Sequence, residues 1–158
     1  MICGGQENMS LAPFIIDRRY EKKISKKNVI DTMIYDGLID KFNNYHMGVT
    51  AENIADMYKI SRQEQDDFAY KSQTKTQLSL KKKIFDDELI AVELNGYFLD
   101  KDEHPRKNLH IEDLKKLKPA FKKDGTVTPG NASGINDGAA AVLLTTFDEV
   151  KKKFLMMN

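Results

Sequence analysis

Residues able to do chemistry are sparse in this chain and lie far apart. The sequence holds one cysteine, Cys3, and three histidines, His46, His104 and His110. A lone thiol excludes an internal disulfide framework and suits a reducing compartment. His46 with Met47 reads either as an ordinary packed pair after a helix or as a pair lining a ligand. The most distinctive segment is residues 125–144, GTVTPGNASGINDGAAAVLL. Gly125, Gly130, Gly134 and Gly138, with Ala132 and Ser133, surround two asparagines and Asp137 before the segment turns apolar. Glycine, alanine and serine let a main chain approach its neighbours closely and offer small hydrogen-bonding groups. Ser133 taken alone reads as a turn residue, and Asp137 reads as an acceptor that orders the loop rather than as a catalytic acid. No metal site is expected.

The elements that must position these residues follow from pattern. At 158 residues, 41% hydrophobic and 31% charged, the chain has the composition of about one globular domain. A formal charge of +1 gives no field favouring nucleic acid or an anionic membrane. No window approaches the roughly 18 apolar residues of a membrane span, and the N-terminus lacks the basic and apolar regions of a secretory signal. The simplest compartment is the cytoplasm, where the sequon at Asn131-Ala132-Ser133 carries no weight.

"MIC" reads as the end of a buried strand halted by Gly4-Gly5. Residues 18–27, with Arg18, Arg19, Lys22, Lys23, Lys26 and Lys27, read as an exposed connection. Ile30, Met33, Ile34 and Leu38 predict a helix over 29–42, and Thr50 is placed to cap another over 51–58. Ser61 and Glu64 form a capping-box pair opening a helix to about Lys82. Its narrow inward face would hold Phe68, Ala69, Ser72, Thr76 and Leu80. Asn95-Gly96 predicts a tight hairpin in "ELIAVELNGYFL", a short helix follows over 111–117 before Pro119, and "AAAVLLTT" predicts a strand buried on both faces. Strong strands therefore stand at the two ends without evident partners of comparable apolarity. That arrangement suggests an insertion hung between two strands of a sheet lying mostly elsewhere.

Several blocks of the chain resemble the middle of a thiolase of the acetyl-CoA acetyltransferase type. They are "GGQENMS", "DTMIYDGLIDKFNNYHMG", "TAENIADMYKISRQEQDDFAYKSQ" and "KLKPAFKKDGTVTPGNASGINDGAAAVLL", in that order. The resemblance runs from Met1 to about residue 150. It implies an α/β class and a partial thiolase fold, part of the N-terminal α/β/α half with an inserted α+β loop domain. Residues 1–17 would supply a strand and turn of that half, 18–128 the coenzyme A-binding loop domain, and 129–158 the return segment and strand.

The resemblance also implies the site residues. Leu38 would lie beside the CoA moiety, and His46 and Met47 would line the pantetheine and acyl end of a tunnel. Arg106 would lie near the nucleotide, or on a solvated surface. Ser133 would hydrogen-bond the pantetheine arm, with Ala132 beside it. Pro129 stands where relatives usually have alanine, and removes a backbone donor. Asp113 replaces a common serine, so its carboxylate either points away from the phosphates or weakens nucleotide affinity. The lysines at 81–83, 115, 116, 118, 122 and 123 could attract phosphates, although charge runs usually form solvated faces.

Thiolase chemistry uses one cysteine as acyl acceptor and another as proton carrier, helped by histidine and asparagine, because nucleophile and acid–base are separate jobs. None of these catalytic blocks is found in the sequence. Cys3-Gly4-Gly5 only formally fits a C-x-G motif and reads as structural. His104-Pro105 follows Glu103 rather than glycine and reads as surface loop. The expected function is therefore a fragment of an acetyl-CoA C-acetyltransferase (two acetyl-CoA giving acetoacetyl-CoA and CoA). It would have no catalytic residue, no cofactor beyond the coenzyme A thioester substrate, and no turnover alone. A split gene, a decayed gene or a truncated record would all look like this. The alternative is a non-catalytic CoA-binding or assembly module complementing a second polypeptide. Expected partners are acetyl-CoA or CoA and either further copies or the missing thiolase segments, with no nucleic acid or membrane. The unpaired strand edges also predict poor solubility in isolation.

Overall fold

The computed structural model describes residues 1–16 and 29–156. The basic connection expected over 18–27 lies outside the described residues. The chain divides into two compact units, one built from both ends (Met1–Asp31 with Ile135–Asn158) and one continuous (Thr32–Gly134).

In the first unit, strand β1 (Ile2–Glu7) pairs antiparallel with β8 (Gly138–Leu143), running from Ile2 opposite Leu143 to Glu7 opposite Gly138. The pairing continues past the strands, since the Met1 ammonium donates to the Leu144 carbonyl at 2.7 Å and the Leu144 amide returns a bond to Met1 at 2.8 Å. The two end strands are thus each other's partner, contrary to the expectation that neither would find one in the chain. Burial also differs from expectation: all six residues of β8 are exposed, because a two-stranded sheet covers neither face. Gly4 is required here, as a Cβ on it would stand 2.7 Å from the Ala140 carbonyl oxygen. Cys3 sits half-buried opposite Val142. Asp137 accepts from the Ser10 amide at 2.9 Å, tying the turn after β1 to the segment entering β8. Strands β2 (Phe14–Ile16) and β3 (Val29–Asp31) form a second antiparallel pair. Helix α4 (Phe147–Met156), which the strand reading of the C-terminal segment missed, follows with acidic Asp148 and Glu149 in its first turn, where the helix dipole favours them.

The predicted helix over 29–42 is largely replaced. Only Met33–Leu38 winds, as a π-helix, while Val29–Asp31 is used as β3 and Ile39–Asp40 forms β4, paired with β5 (Tyr45–His46). β-Branched Val29, Ile30 and Ile39 fit a pleated surface as well as a helix stripe, and tertiary pairing decides between them.

Helix α1 (Met47–Tyr58) starts earlier than Thr50 would place it. His46 caps it, its Nδ1 accepting the Gly48 N–H at 2.9 Å. Helix α2 (Arg62–Lys81) opens at Ser61 as expected: Ser61 Oγ accepts from the Glu64 amide at 3.2 Å and Glu64 Oε2 accepts from the Ser61 amide at 2.7 Å. The hairpin also forms, with β6 (Val92–Leu94) and β7 (Tyr97–Leu99) joined by Asn95 and Gly96 at φ values of 49° and 86°. Helix α3 (Ile111–Lys115) completes the set.

The inward face of α2 is the expected one only in part: Ala69 and Thr76 are half-buried, but Ser72 and Leu80 are exposed. Phe68 is 77% exposed, whereas Asp66 is buried and Arg62, Gln65, Ala69 and Gln73 are half-buried. The core of this unit is small and half polar. Ala55, Leu114 and Val127 are buried together with Glu52, Asp66 and Thr128. These polar residues hold a long loop, residues 116–134, against α1, α2 and α3.

Candidate functional site

The glycine-rich loop is fixed by two buried carboxylates. Glu52 of α1, only 2% exposed, accepts the Thr126 amide on both oxygens at 2.9 Å. It also accepts the Val127 amide at 2.8 Å and the Thr126 hydroxyl at 3.1 Å. Asp66 of α2 accepts Arg62 Nε at 2.8 Å on one oxygen and Asn131 Nδ2 at 2.9 Å on the other. The Arg62 guanidinium continues to the Leu114 and Leu117 carbonyls at 2.6 and 3.0 Å, closing the open C-terminal end of α3.

Between these pins the chain makes a tight turn over Thr128–Asn131. Asn131 Oδ1 accepts the Thr128 amide at 2.7 Å, and the Thr128 carbonyl accepts the amides of Asn131 and Ala132 at 3.2 and 3.0 Å. Pro129 occupies the second position of this turn, where its fixed φ is favoured. The donor it lacks is used by none of these bonds.

The bare backbone thus has causes inside the protein. A Cβ on Gly125 would collide with the Glu52 carboxylate, and one on Gly130 would lie 2.5 Å from Leu117 Cδ1 and 2.6 Å from Leu114 Cδ2.

A third contact adds an aromatic wall. The Phe121 ring stacks on the His46 imidazole with centroids 4.8 Å apart and planes at 24°. Gly48 lies flush beneath Phe121, whose ring would occupy the place of any Cβ there. At the exposed start of the loop, Lys122 donates to Asp56 at 2.7 Å, and the pair holds the Asp56 carboxyl below and the Lys122 amine above their ordinary values.

The expected site residues fall into three places. Leu38 and His46 are neighbours through the β4–β5 pair, in which Ile39 stands opposite His46. Met47, 48% exposed, opens α1 beside them. Ala132 and Ser133 follow the Thr128–Asn131 turn, with Ala132 half-buried and Ser133 exposed. Arg106 is exposed, and its amide donates to Gln73 Oε1 of α2 at 3.0 Å. Among the described residues no hydrogen bond joins these three places directly; the common scaffold of α1, α2 and the loop relates them.

Asp113 is turned to its own helix. It accepts the His110 amide and Lys116 Nζ, both at 3.2 Å, and the lysine, followed by that amide, holds its carboxyl below the ordinary value. Lys115 is likewise paired, with Glu112 at 2.7 Å, so much of this lysine run is locally neutralised. His104 lies in an exposed loop.

Sequence reasoning missed Glu52, Asp66, Asn131 and Phe121. One signal was present for Phe121, a lone aromatic inside the charged run "KPAFKKDG". Glu52 also lies four residues after Gly48 and three before Ala55, on a helix face otherwise built of small residues.

A family model described as thiolase, N-terminal domain, matches residues 1–148. A probable acetyl-CoA acyltransferase of Staphylococcus aureus strain COL is 48% identical, aligned over 96% of this chain and 40% of its own length. The structure of acetyl-CoA acetyltransferase from Syntrophomonas wolfei overlays with a TM-score of 0.84 at 38% identity, covering 97% of this chain and 39% of that one. Human mitochondrial 3-ketoacyl-CoA thiolase, solved in complex with CoA, overlays with a TM-score of 0.83 at 40% identity and the same 97% and 39% coverage. The chain therefore spans about 40% of the length of the curated relatives it matches.

Proposed function

Because the chain belongs to the thiolase family through its N-terminal domain, and folds as part of the thiolase fold, we propose that it carries the coenzyme A-binding part of an acetyl-CoA C-acetyltransferase. The reaction served is the interconversion of two acetyl-CoA with acetoacetyl-CoA and CoA. In this reading residues 18–128 are the CoA-binding loop domain, flanked by 1–17 and 129–158 from the N-terminal half. The support is that nearly the whole chain overlays on an enzyme whose structure was solved with CoA.

Each residue's part follows from its chemistry. Pantetheine is a thin arm with two amides, and Ser133 offers a hydroxyl to one of them beside the small side chain of Ala132. Leu38 and Met47 give apolar walls. His46 serves the wall through its ring, backed by Phe121, while its Nδ1 is committed to the Gly48 amide. Arg106, exposed on the α2 side, is free to meet the nucleotide phosphates as a cation. Acetyl transfer needs a thiolate acceptor and a separate proton carrier. Cys3, half-buried in β1, is neither in this reading, so the chain alone does not turn over. It works in the cytoplasm with further copies of itself or with the segments that bear the thiols.

Calorimetric titration of the purified chain with CoA and acetyl-CoA is the direct test. Saturable binding that weakens in Ser133→Ala is expected, whereas no heat with either ligand at millimolar concentration would remove the reading. Thiolysis of acetoacetyl-CoA by the Cys3→Ser chain would refute the inactivity. A second reading, a non-catalytic module completing another polypeptide, is favoured by one observation: the fully exposed β8 in a two-stranded sheet. Activity appearing only on mixing with a polypeptide that carries the cysteine blocks would select it.

A further inference from the structure

We infer that Glu52 is a positioning residue for the carrier-binding loop: its buried carboxylate sets where the Gly125–Val127 backbone lies and, through it, where Ala132 and Ser133 are presented. The inference rests on the reading that Ala132 and Ser133 contact coenzyme A. A carboxylate is a costly group to bury, and a well-packed apolar side chain of the same volume would serve stability equally well. Among the described residues Glu52 has no cation within ion-pair distance. Loop groups satisfy it instead: the amides of Thr126 and Val127 and the Thr126 hydroxyl. Those donors can be satisfied only if the loop lies in one place and one orientation, and Gly125 is flush against the same carboxylate.

The path onward is short and continuous. The Thr126 carbonyl accepts Asn131 Nδ2 at 3.1 Å, Asn131 Oδ1 accepts the Thr128 amide, and the Thr128 carbonyl accepts the Ala132 amide. A displacement at Thr126 is therefore carried to the residue beside Ser133. Gln65 of α2 holds the same point from the other side, its Nε2 donating to Thr126 Oγ1 at 2.8 Å.

The test compares the full chain with Glu52→Gln, which keeps the shape but sets an NH2 group against a backbone donor. Amide spectra of the ligand-free proteins and CoA affinity below the melting temperature are both recorded. The expected result is upfield movement of the Thr126 and Val127 amide protons, with shifts extending to Ala132 and Ser133. CoA affinity should fall by about tenfold or more, the size of losing a hydrogen bond to a charged group. Should that variant fail to fold, Thr126→Val removes one Glu52 contact and the Gln65 contact, and is judged by the same readouts. If Ala132 and Ser133 stay unshifted while Thr126 and Val127 move, or if affinity stays within about twofold, Glu52 is an anchor for stability only and the inference is overturned. If the parent chain binds no CoA yet the shifts reach Ser133, the positioning stands and the carrier reading is what fails.

Discussion

His46 shows how one side chain can serve two purposes. Its Nδ1 caps α1 and its ring face stacks on Phe121, so one imidazole fixes both the start of the helix and the aromatic ring of the loop. Gly48 completes this arrangement. Gly48→Ala forces a methyl group into the Phe121 ring and is expected to cost roughly 1–3 kcal/mol by overpacking, measured by urea denaturation. An unchanged midpoint would show that Phe121 moves aside freely. Asp137 gives a prediction in pH. The Ser10 amide, then the Ser10 hydroxyl, holds its carboxyl below the ordinary value. A depressed carboxylate contributes stability above its unfolded value, and that contribution is lost as pH falls through the folded one. Asp137→Asn should therefore flatten the acid side of the stability profile below about pH 4 and leave its slope near neutrality unchanged. Melting curves collected from pH 2 to 7 would reveal it, and parallel profiles for the two proteins would contradict it.

At the scale of elements, α2 was the most legible part of the chain. Ser61 and Glu64 stand three apart, and reciprocal bonds between side chain and backbone form wherever that spacing meets a helix start. Ser61→Ala should destabilise the chain by about 1 kcal/mol, with Ser61→Asp restoring most of it. An alanine variant melting like the parent would mean that α2 is held from its middle rather than from its end. Which face of α2 turns inward was legible only in part. Of the nominated residues Ala69 and Thr76 are half-buried and Phe68, Ser72 and Leu80 are exposed, while Arg62, Asp66 and Gln73 turn inward beside them. They face inward because the neighbouring loop and α3 present unsatisfied amides and carbonyls, and polar side chains are what those groups require.

For the whole molecule, the notable fact is how little is buried. Among the described residues the buried side chains are Ala55, Leu114 and Val127 beside the polar Glu52, Asp66 and Thr128, whereas Ile2 is 80%, Leu143 73% and Phe147 71% exposed. Two-stranded sheets leave backbone edges and apolar faces open, and both favour association. Sedimentation of the isolated chain should give a mass that rises with concentration, and Val142→Lys, placed on the exposed β8, should lower it. A monomer independent of concentration would contradict this. The chain spans about 40% of the length of its curated relatives.

The sequence by itself settled whatever depends on neighbours a few residues apart: the Asn95-Gly96 turn, the Ser61–Glu64 cap, the strand character of both ends and, through block resemblance, the family. It carried the candidate ligand residues only as resemblance, and it misjudged the helix over 29–42, the cap of α1 and part of the buried face of α2. Those features, like the roles of Glu52, Asp66 and Phe121, were decided by tertiary structure. The Glu52 carboxylate meets the Val127 amide across 75 positions. No local pattern encodes that meeting, because its strength comes from burial of a charge that only the assembled fold provides.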